Sequence, residues 1–163
     1  MTAAHGPPQK KGLRVFLVDD HPIVRAGLRT LLEERTGLSV IGEASNGATA
    51  VAEVDRLKPD VVVMDLAMPG PEGDGFAATR RIVQSNPNVR VLVLTTYASE
   101  SDAARAIDAG ATGYLLKDTA PDDIVQAIRS VASGAPVFAP SVAAHMLKRL
   151  RAPSALTTRE LEI

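Results

Sequence analysis

Apolar residues in this chain fall into short, near-continuous runs separated by longer stretches in which they recur every three or four positions. The runs are Arg14 to Asp19, Ser39 to Ala44, Val61 to Met64, Arg90 to Leu94 and Gly113 to Leu116. Rich in Val, Ile and Leu and too short for helices, they predict strands buried on both faces. The intervening stretches predict amphipathic helices. The first starts at Pro22, which suits a first helical turn, carries Val24, Leu28, Leu31 and Leu32 on one face, and has Gly37 as its stop. The second spans Asn46 to Leu57 with Ala50, Val51 and Val54; the third begins near Gly75 with Phe76, Thr79, Ile82 and Val83. A fourth runs from about Ser101 to Ala109, before Gly110. The fifth opens on Pro121-Asp122-Asp123, acids suited to a helix N-terminus, and presents Ile124, Val125, Ile128 and Val131 before Gly134.

Five strands alternating with five helices predict a parallel sheet covered on both faces. Right-handed crossovers leave few topologies, and the leading one is the flavodoxin-like (βα)5 doubly wound sheet, order 2-1-3-4-5. Beyond Gly134 the pattern changes. Ala135 to Pro140 reads as a loop, and Ser141 to Arg151 as a separate amphipathic linker helix broken by Ala152-Pro153-Ser154. Thr157 and Glu160 then form a capping box, with Leu156 and Leu161 placed as its hydrophobic staple. That helix has barely begun at Ile163, so the expectation is a chain truncated at the start of a further domain. The expected division is therefore a mobile tail over 1–12, a domain over 13–134, a linker over 135–155 and the first residues of another domain over 156–163.

Composition narrows the field. With 163 residues the chain holds one ordinary domain and little more. Its apolar fraction is 45% but only 3% is aromatic, so aliphatic side chains must do the packing. A net charge of -1 offers no global basic field for nucleic acid. No apolar stretch reaches the roughly 20 residues of a membrane span, and the N-terminus lacks a signal peptide's apolar segment. The absence of cysteine removes disulfides and thiolate metal sites and fits a cytoplasmic location.

Candidate chemistry lies at the strand ends. Asp19-Asp20 close the first run, Asp65 the third, Thr95-Thr96 the fourth and Lys117 the fifth. In a parallel sheet these ends share one edge, where doubly wound folds bind ligands. Three carboxylates, a hydroxyl and an ammonium suit a divalent metal and a phosphoryl group. Magnesium takes one or two carboxylates plus water and phosphate oxygens; Asp20, Asp65 and the Ala67 carbonyl are the candidate ligands, with Asp19 direct or through water. Asp65 then reads as a nucleophile towards phosphorus, with Lys117 and Thr95 stabilising the phosphoryl oxygens. Singly, each residue has an ordinary reading: a turn Asp, a helix-capping Asp19-Asp20 pair, a β-branched strand Thr, a solvated Lys. Their joint placement at four strand ends favours a site.

The strings LVDDHPIVRAGLRTLL, VVVMDLAMPG, VLVLTTYA and GATGYLLKD resemble the receiver domain of bacterial two-component response regulators, most closely the NarL/FixJ subfamily. The resemblance spans roughly Leu13 to Gly134. It implies that Asp65 is the phosphoacceptor, Asp19 and Asp20 the metal-binding acidic pair, Thr95 the switch hydroxyl and Lys117 the phosphate-contacting lysine. It also matches Tyr114 to the aromatic that responds to phosphorylation, although a strand-five core aromatic is the alternative. The ending LTTRELEI resembles the first helix of a LuxR-type helix-turn-helix domain. Implied partners are a sensor histidine kinase, a second copy of the phosphorylated chain, and DNA through the missing domain rather than this one. Implied cofactor is Mg2+. Three departures stand out: the segment MPGPEGDGFAAT is about two residues longer than usual, position 67 is Ala, and Asp118 rather than Pro follows Lys117.

Other functions compete. Haloacid-dehalogenase-type phosphatases also set Asp, Thr, Lys and an acidic pair at parallel strand ends. Their nucleophile is Asp-x-Asp on the first strand with the acidic pair last; here the order is reversed and Ala67 occupies the second Asp position, against a multiple-turnover enzyme. A phosphorylation-independent interaction module is the runner-up, disfavoured because the acidic set is complete. A flavin site lacks its phosphate loop after strand one, and Gly70, Gly73 and Gly75 are not a dinucleotide fingerprint. Lys148, Arg149 and Arg151 read as favourable charges at a helix C-terminus rather than a DNA surface.

Overall fold

The computed structural model describes residues 12–70, 74–96 and 99–138. Its elements are β1 (Leu13–Val18), α1 (Pro22–Glu33), β2 (Leu38–Ala44), α2 (Gly47–Leu57), β3 (Val61–Met64), α3 (Gly75–Ser85), β4 (Arg90–Thr95), α4 (Glu100–Asp108), β5 (Gly113–Leu116), α5 (Pro121–Ala132) and β6 (Val137–Phe138). The strands form one parallel sheet in the order β2-β1-β3-β4-β5-β6. The expected flavodoxin-like order 2-1-3-4-5 is present, extended by a sixth strand.

The continuous apolar runs are explained by their place in the middle of the sheet. All four residues of β3 are buried, as are Val15 to Val18 of β1 and Val91 to Leu94 of β4. Helices cover both faces. On one, α2 packs on α3 and α3 on α4. On the other, the turn after α1 is tied to α5 by Arg35–Asp122 at 2.7 Å and by Arg129, which donates to the Thr36 carbonyl at 3.0 Å. Leu28 and Leu32 of α1 and Ile124, Val125, Ile128 and Val131 of α5 fill the core from that side.

Local signals set most helix starts. Asn46 accepts from the Thr49 N–H at 2.8 Å, Asp74 from Phe76 at 2.9 Å and Ala77 at 3.2 Å, and Ser99 from Asp102 at 3.0 Å. Pro22 and Pro121 occupy first-turn positions.

Four expectations are corrected. Ala135 to Pro140 is not all loop, because Val137–Phe138 pairs with Gly113 and Tyr114 on the exposed edge of β5. Two residues carry no periodicity, so only the available sheet edge selects them as strand. Gly37 does not stop α1, which ends at Glu33. It sits instead in the turn before β2, with its carbonyl accepting from Leu13 N–H at 2.7 Å. Asp19 lies one residue beyond β1, and α4 starts a residue early because Ser99 supplies its cap. The linker helix over Ser141 to Arg151, the tail before Gly12 and the capping box at Thr157 lie outside the described residues. No helix among the described residues is long and apolar enough to cross a membrane.

Candidate functional site

Backbone hydrogen bonds carry the sheet one residue past its strands, and those extra residues are the chemical ones. Asp65 N–H donates to the Val18 carbonyl at 2.9 Å, Asp19 N–H to Ala44 at 3.1 Å and Lys117 N–H to Thr95 at 2.7 Å. Each side chain is thus anchored by main chain before any metal or phosphoryl group is considered. The parallel register brings them to a common edge.

There the side chains meet. Lys117 Nζ lies 2.8 Å from Asp19 Oδ2 and 3.5 Å from Asp65 Oδ2. Asp19 and Asp65 are each 2% exposed. Donor atoms of Asp19, Asp20, His21 and Asp65 all lie within 4.8 Å of one another. The structure thus brings the acidic pair, Asp65 and Lys117 together. Thr95 is buried at the end of β4, beside Lys117 in the sheet. Tyr114 is fully buried in β5 opposite Val93. Burial first, and the charge of Asp102 second, push its hydroxyl up to about 12. Ala67 is exposed, and its N–H donates to Asp65 Oδ1 at 3.2 Å.

The electrostatics are unbalanced. Burial holds the Asp65 carboxyl above the usual range, and Asp19 pushes it the same way against the opposing pull of Lys117. Lys117 is raised as well: burial works against its charge, but the hydrogen bond to Asp19 and the charge of Asp65 outweigh that. Two buried oxygens, Asp20 Oδ1 and Asp65 Oδ2, lack hydrogen-bond partners. His21 and Lys117 approach them only at ion-pair range, 3.2 and 3.5 Å. Unsatisfied carboxylate oxygens within one acidic cluster are what a divalent cation would bind, so the residues present fit a metal.

Three contributors were not legible as such. Arg25 donates to the Asp19 carbonyl at 2.5 Å and to Glu43 at 3.0 Å, clamping the turn after β1. Nothing in the sequence marks it out from other helix-surface arginines. Gly75 is needed for space: a Cβ there would stand 2.5 Å from the Asp65 carbonyl oxygen. Its place in a glycine-rich loop was visible, its packing role was not. His21, between the acidic pair and Pro22, carries no sequence signal of its own; its Nδ1 lies 3.2 Å from both Asp19 Oδ1 and Asp20 Oδ1. At the start of α1, Asp19 Oδ1 accepts from the N–H of His21, the N-cap residue, at 2.8 Å, and the His21 side chain makes no cap bond.

Comparison with known proteins agrees with this frame. Residues 15–129 match the model of the response regulator receiver domain. The chain belongs to that family. It is 38% identical over 155 residues to the response regulator protein VraR of Staphylococcus aureus, covering 93% of this chain and 73% of VraR. Among solved structures, a LuxR-family two-component response regulator from Aurantimonas sp. SI85-9A1 is 40% identical, with a TM-score of 0.78 over 85% of this chain and 97% of that one. The isolated receiver domain of RcsB from Salmonella enterica serovar Typhimurium, determined with the phosphomimetic BeF3-, is 30% identical with a TM-score of 0.73, covering 82% and 98%.

Proposed function

We propose that this chain is the phosphoryl-accepting switch of a two-component pathway, a response regulator whose Asp65 takes its phosphoryl group from a sensor histidine kinase. The carrying observation is the convergence of Asp19, Asp20, Asp65 and Lys117 within one acidic pocket. An Asp65 carboxylate oxygen attacks phosphorus while the phosphorus–nitrogen bond of the kinase's phosphohistidine breaks and its imidazole leaves. Lys117, already within reach of Asp65, pairs with the incoming phosphoryl oxygens, and the Thr95 hydroxyl donates to them. Asp20, Asp65 and the Ala67 carbonyl, with Asp19 direct or through water, would hold Mg2+, which supplies the positive charge that lets carboxylate and phosphoryl group approach. Asp65 accepts one group per chain, so the protein is a switch rather than a multiple-turnover enzyme.

The new charge, about -2 at neutral pH, acts on Thr95 at the end of β4 and on Tyr114 within β5. Their rearrangement changes the surface of α4, β5 and α5, promotes dimerisation and, in the full-length cytoplasmic protein, DNA binding through a LuxR-type domain. The determination of the RcsB receiver in the presence of the phosphomimetic BeF3- and the LuxR assignment of the Aurantimonas protein support this reading.

Acetyl phosphate with magnesium tests it. Wild type is expected to form an acid-labile adduct that Asp65→Ala does not. Equal labelling of the variant, or none of wild type, counts against the proposal. Gel filtration with and without beryllofluoride and magnesium then reads the change in assembly.

A further inference from the structure

We propose that the groove between α5 and β6 is the docking site of this chain's own segment 141–151. The inference goes beyond the phosphoryl-accepting reading and does not rest on it. The groove encloses about 260 Å3 at the open edge of the sheet, with Leu115, Ala127, Val137 and Phe138 among its lining side chains. Leu115 and Ala127 are buried, whereas Val137 and Phe138 are only half-buried although both belong to a strand. β6 pairs with Gly113 and Tyr114 alone, so Leu115 and Leu116 have no strand beside them on that side among the described residues. Proteins cover open apolar edges of this kind with a helix or a loop.

The path of the chain selects the cover. Phe138 lines the groove and is the last described residue. Only residues 139–141 separate it from Val142, which therefore lies within about 14 Å of Phe138. On helical spacing Val142, Ala143, Met146, Leu147 and Leu150 share one face. That stripe rises about 12 Å, and the groove follows α5 from Asp123 to Ser130, about 10 Å, so the two lengths match.

Charge agrees with this placement. β6 runs parallel to β5, and α5 begins just past the end of β5, so a chain continuing from Phe138 heads for Asp123. Asp123 is exposed in the groove and forms no ion pair among the described residues. Arg149 and Arg151 border the apolar stripe at its far end and arrive there. A short tether gives an effective concentration on the order of millimolar, which favours the segment over a second copy in dilute solution.

The chain has no cysteine, so paired substitutions on the full chain give a clean test. Gln126, exposed on the groove, is changed to Cys together with Met146 on the stripe, or with Lys148 on the opposite face. Under mild oxidation Gln126→Cys/Met146→Cys is expected to close a disulfide within one chain at least about tenfold faster than Gln126→Cys/Lys148→Cys, because only the first pair can come within bonding reach. Equal rates, or bonds formed mainly between chains, overturn the inference. Hydrogen exchange on the unsubstituted chain guards against disruption by the new side chains. An isolated helix this short is marginal in water, so amides over 142–150 are expected to exchange at least about tenfold slower than in a synthetic 139–151 peptide. Met146→Asp is expected to abolish that protection with the circular dichroism of the domain unchanged. Exchange as fast as in the peptide, protection that survives Met146→Asp, or protection lost on dilution overturns the inference, the last by assigning the groove to a second copy.

Discussion

Asp65 carries the clearest conflict in the molecule. It is buried, faces Asp19 and Asp20, and receives only a long approach from Lys117. Its pKa is raised, so the stability linked to it is full below the ordinary Asp range and falls as pH climbs through the raised value. Metal-free Asp65→Asn, which keeps an oxygen for the Ala67 N–H, is therefore expected to melt a few degrees above wild type near pH 7.5. At pH 5 the gap should narrow; melts in chelator at both values check this. Lys117 has the opposite character. Its raised pKa places its contribution fully in force at neutral pH, to be lost only in strong alkali. Lys117→Met leaves Asp19 and Asp65 facing each other uncompensated and is expected to cost about 1–3 kcal/mol at pH 7, measured by urea unfolding without metal. Acidification should return part of that loss by protonating Asp65.

Elements hold these residues in place through contacts remote in sequence. Arg25 and Arg29 of α1 both reach Glu43 of β2, and Arg25 also grips the Asp19 carbonyl. Burial opposes the Glu43 charge, but hydrogen bonds to Arg29 and then Arg25 hold its pKa below the ordinary range. Such a group stabilises above its unfolded pKa and loses that contribution as pH falls through the folded value. Glu43→Gln is expected to cost about 1–2 kcal/mol at pH 7, with the difference shrinking as pH falls below the ordinary Glu range; denaturation across an acid pH series is the check. The start of α3 has a steric constraint instead. Gly75→Ala forces a methyl onto the Asp65 carbonyl, 2.5 Å away, and onto Leu66 Cα at 2.9 Å. Overpacking of this kind costs about 1–3 kcal/mol, and here it also shifts the loop carrying Ala67. Weaker Mg2+ binding by calorimetry is the expected consequence.

For the whole molecule, the fold concentrates charge at one edge and leaves the neutralising partner to be supplied. A ligand that binds only the folded state stabilises by about 2.7 kcal/mol at a hundred times its dissociation constant. Saturating Mg2+ is thus expected to raise the melting temperature of wild type measurably, and chelation to reverse it. Asp20→Asn and Asp65→Asn should lose most of that response, read by differential scanning calorimetry.

The order of strands and helices, and the polar residues waiting at strand ends, were legible because periodicity and chain order are local properties. Val61 to Met64 could only be a doubly buried strand, and Asp65 had to follow it. The sixth strand was not legible, since Val137–Phe138 becomes a strand only by meeting the edge of β5. Nor were Gly75, Arg25 and His21, whose importance lies in atoms contributed by residues outside their own segments. Side-chain type and sequence spacing determine which groups arrive at an edge. Distances between them, and so which charge is compensated and which oxygen left without a partner, depend on how β1, β3 and β5 align once the sheet is assembled.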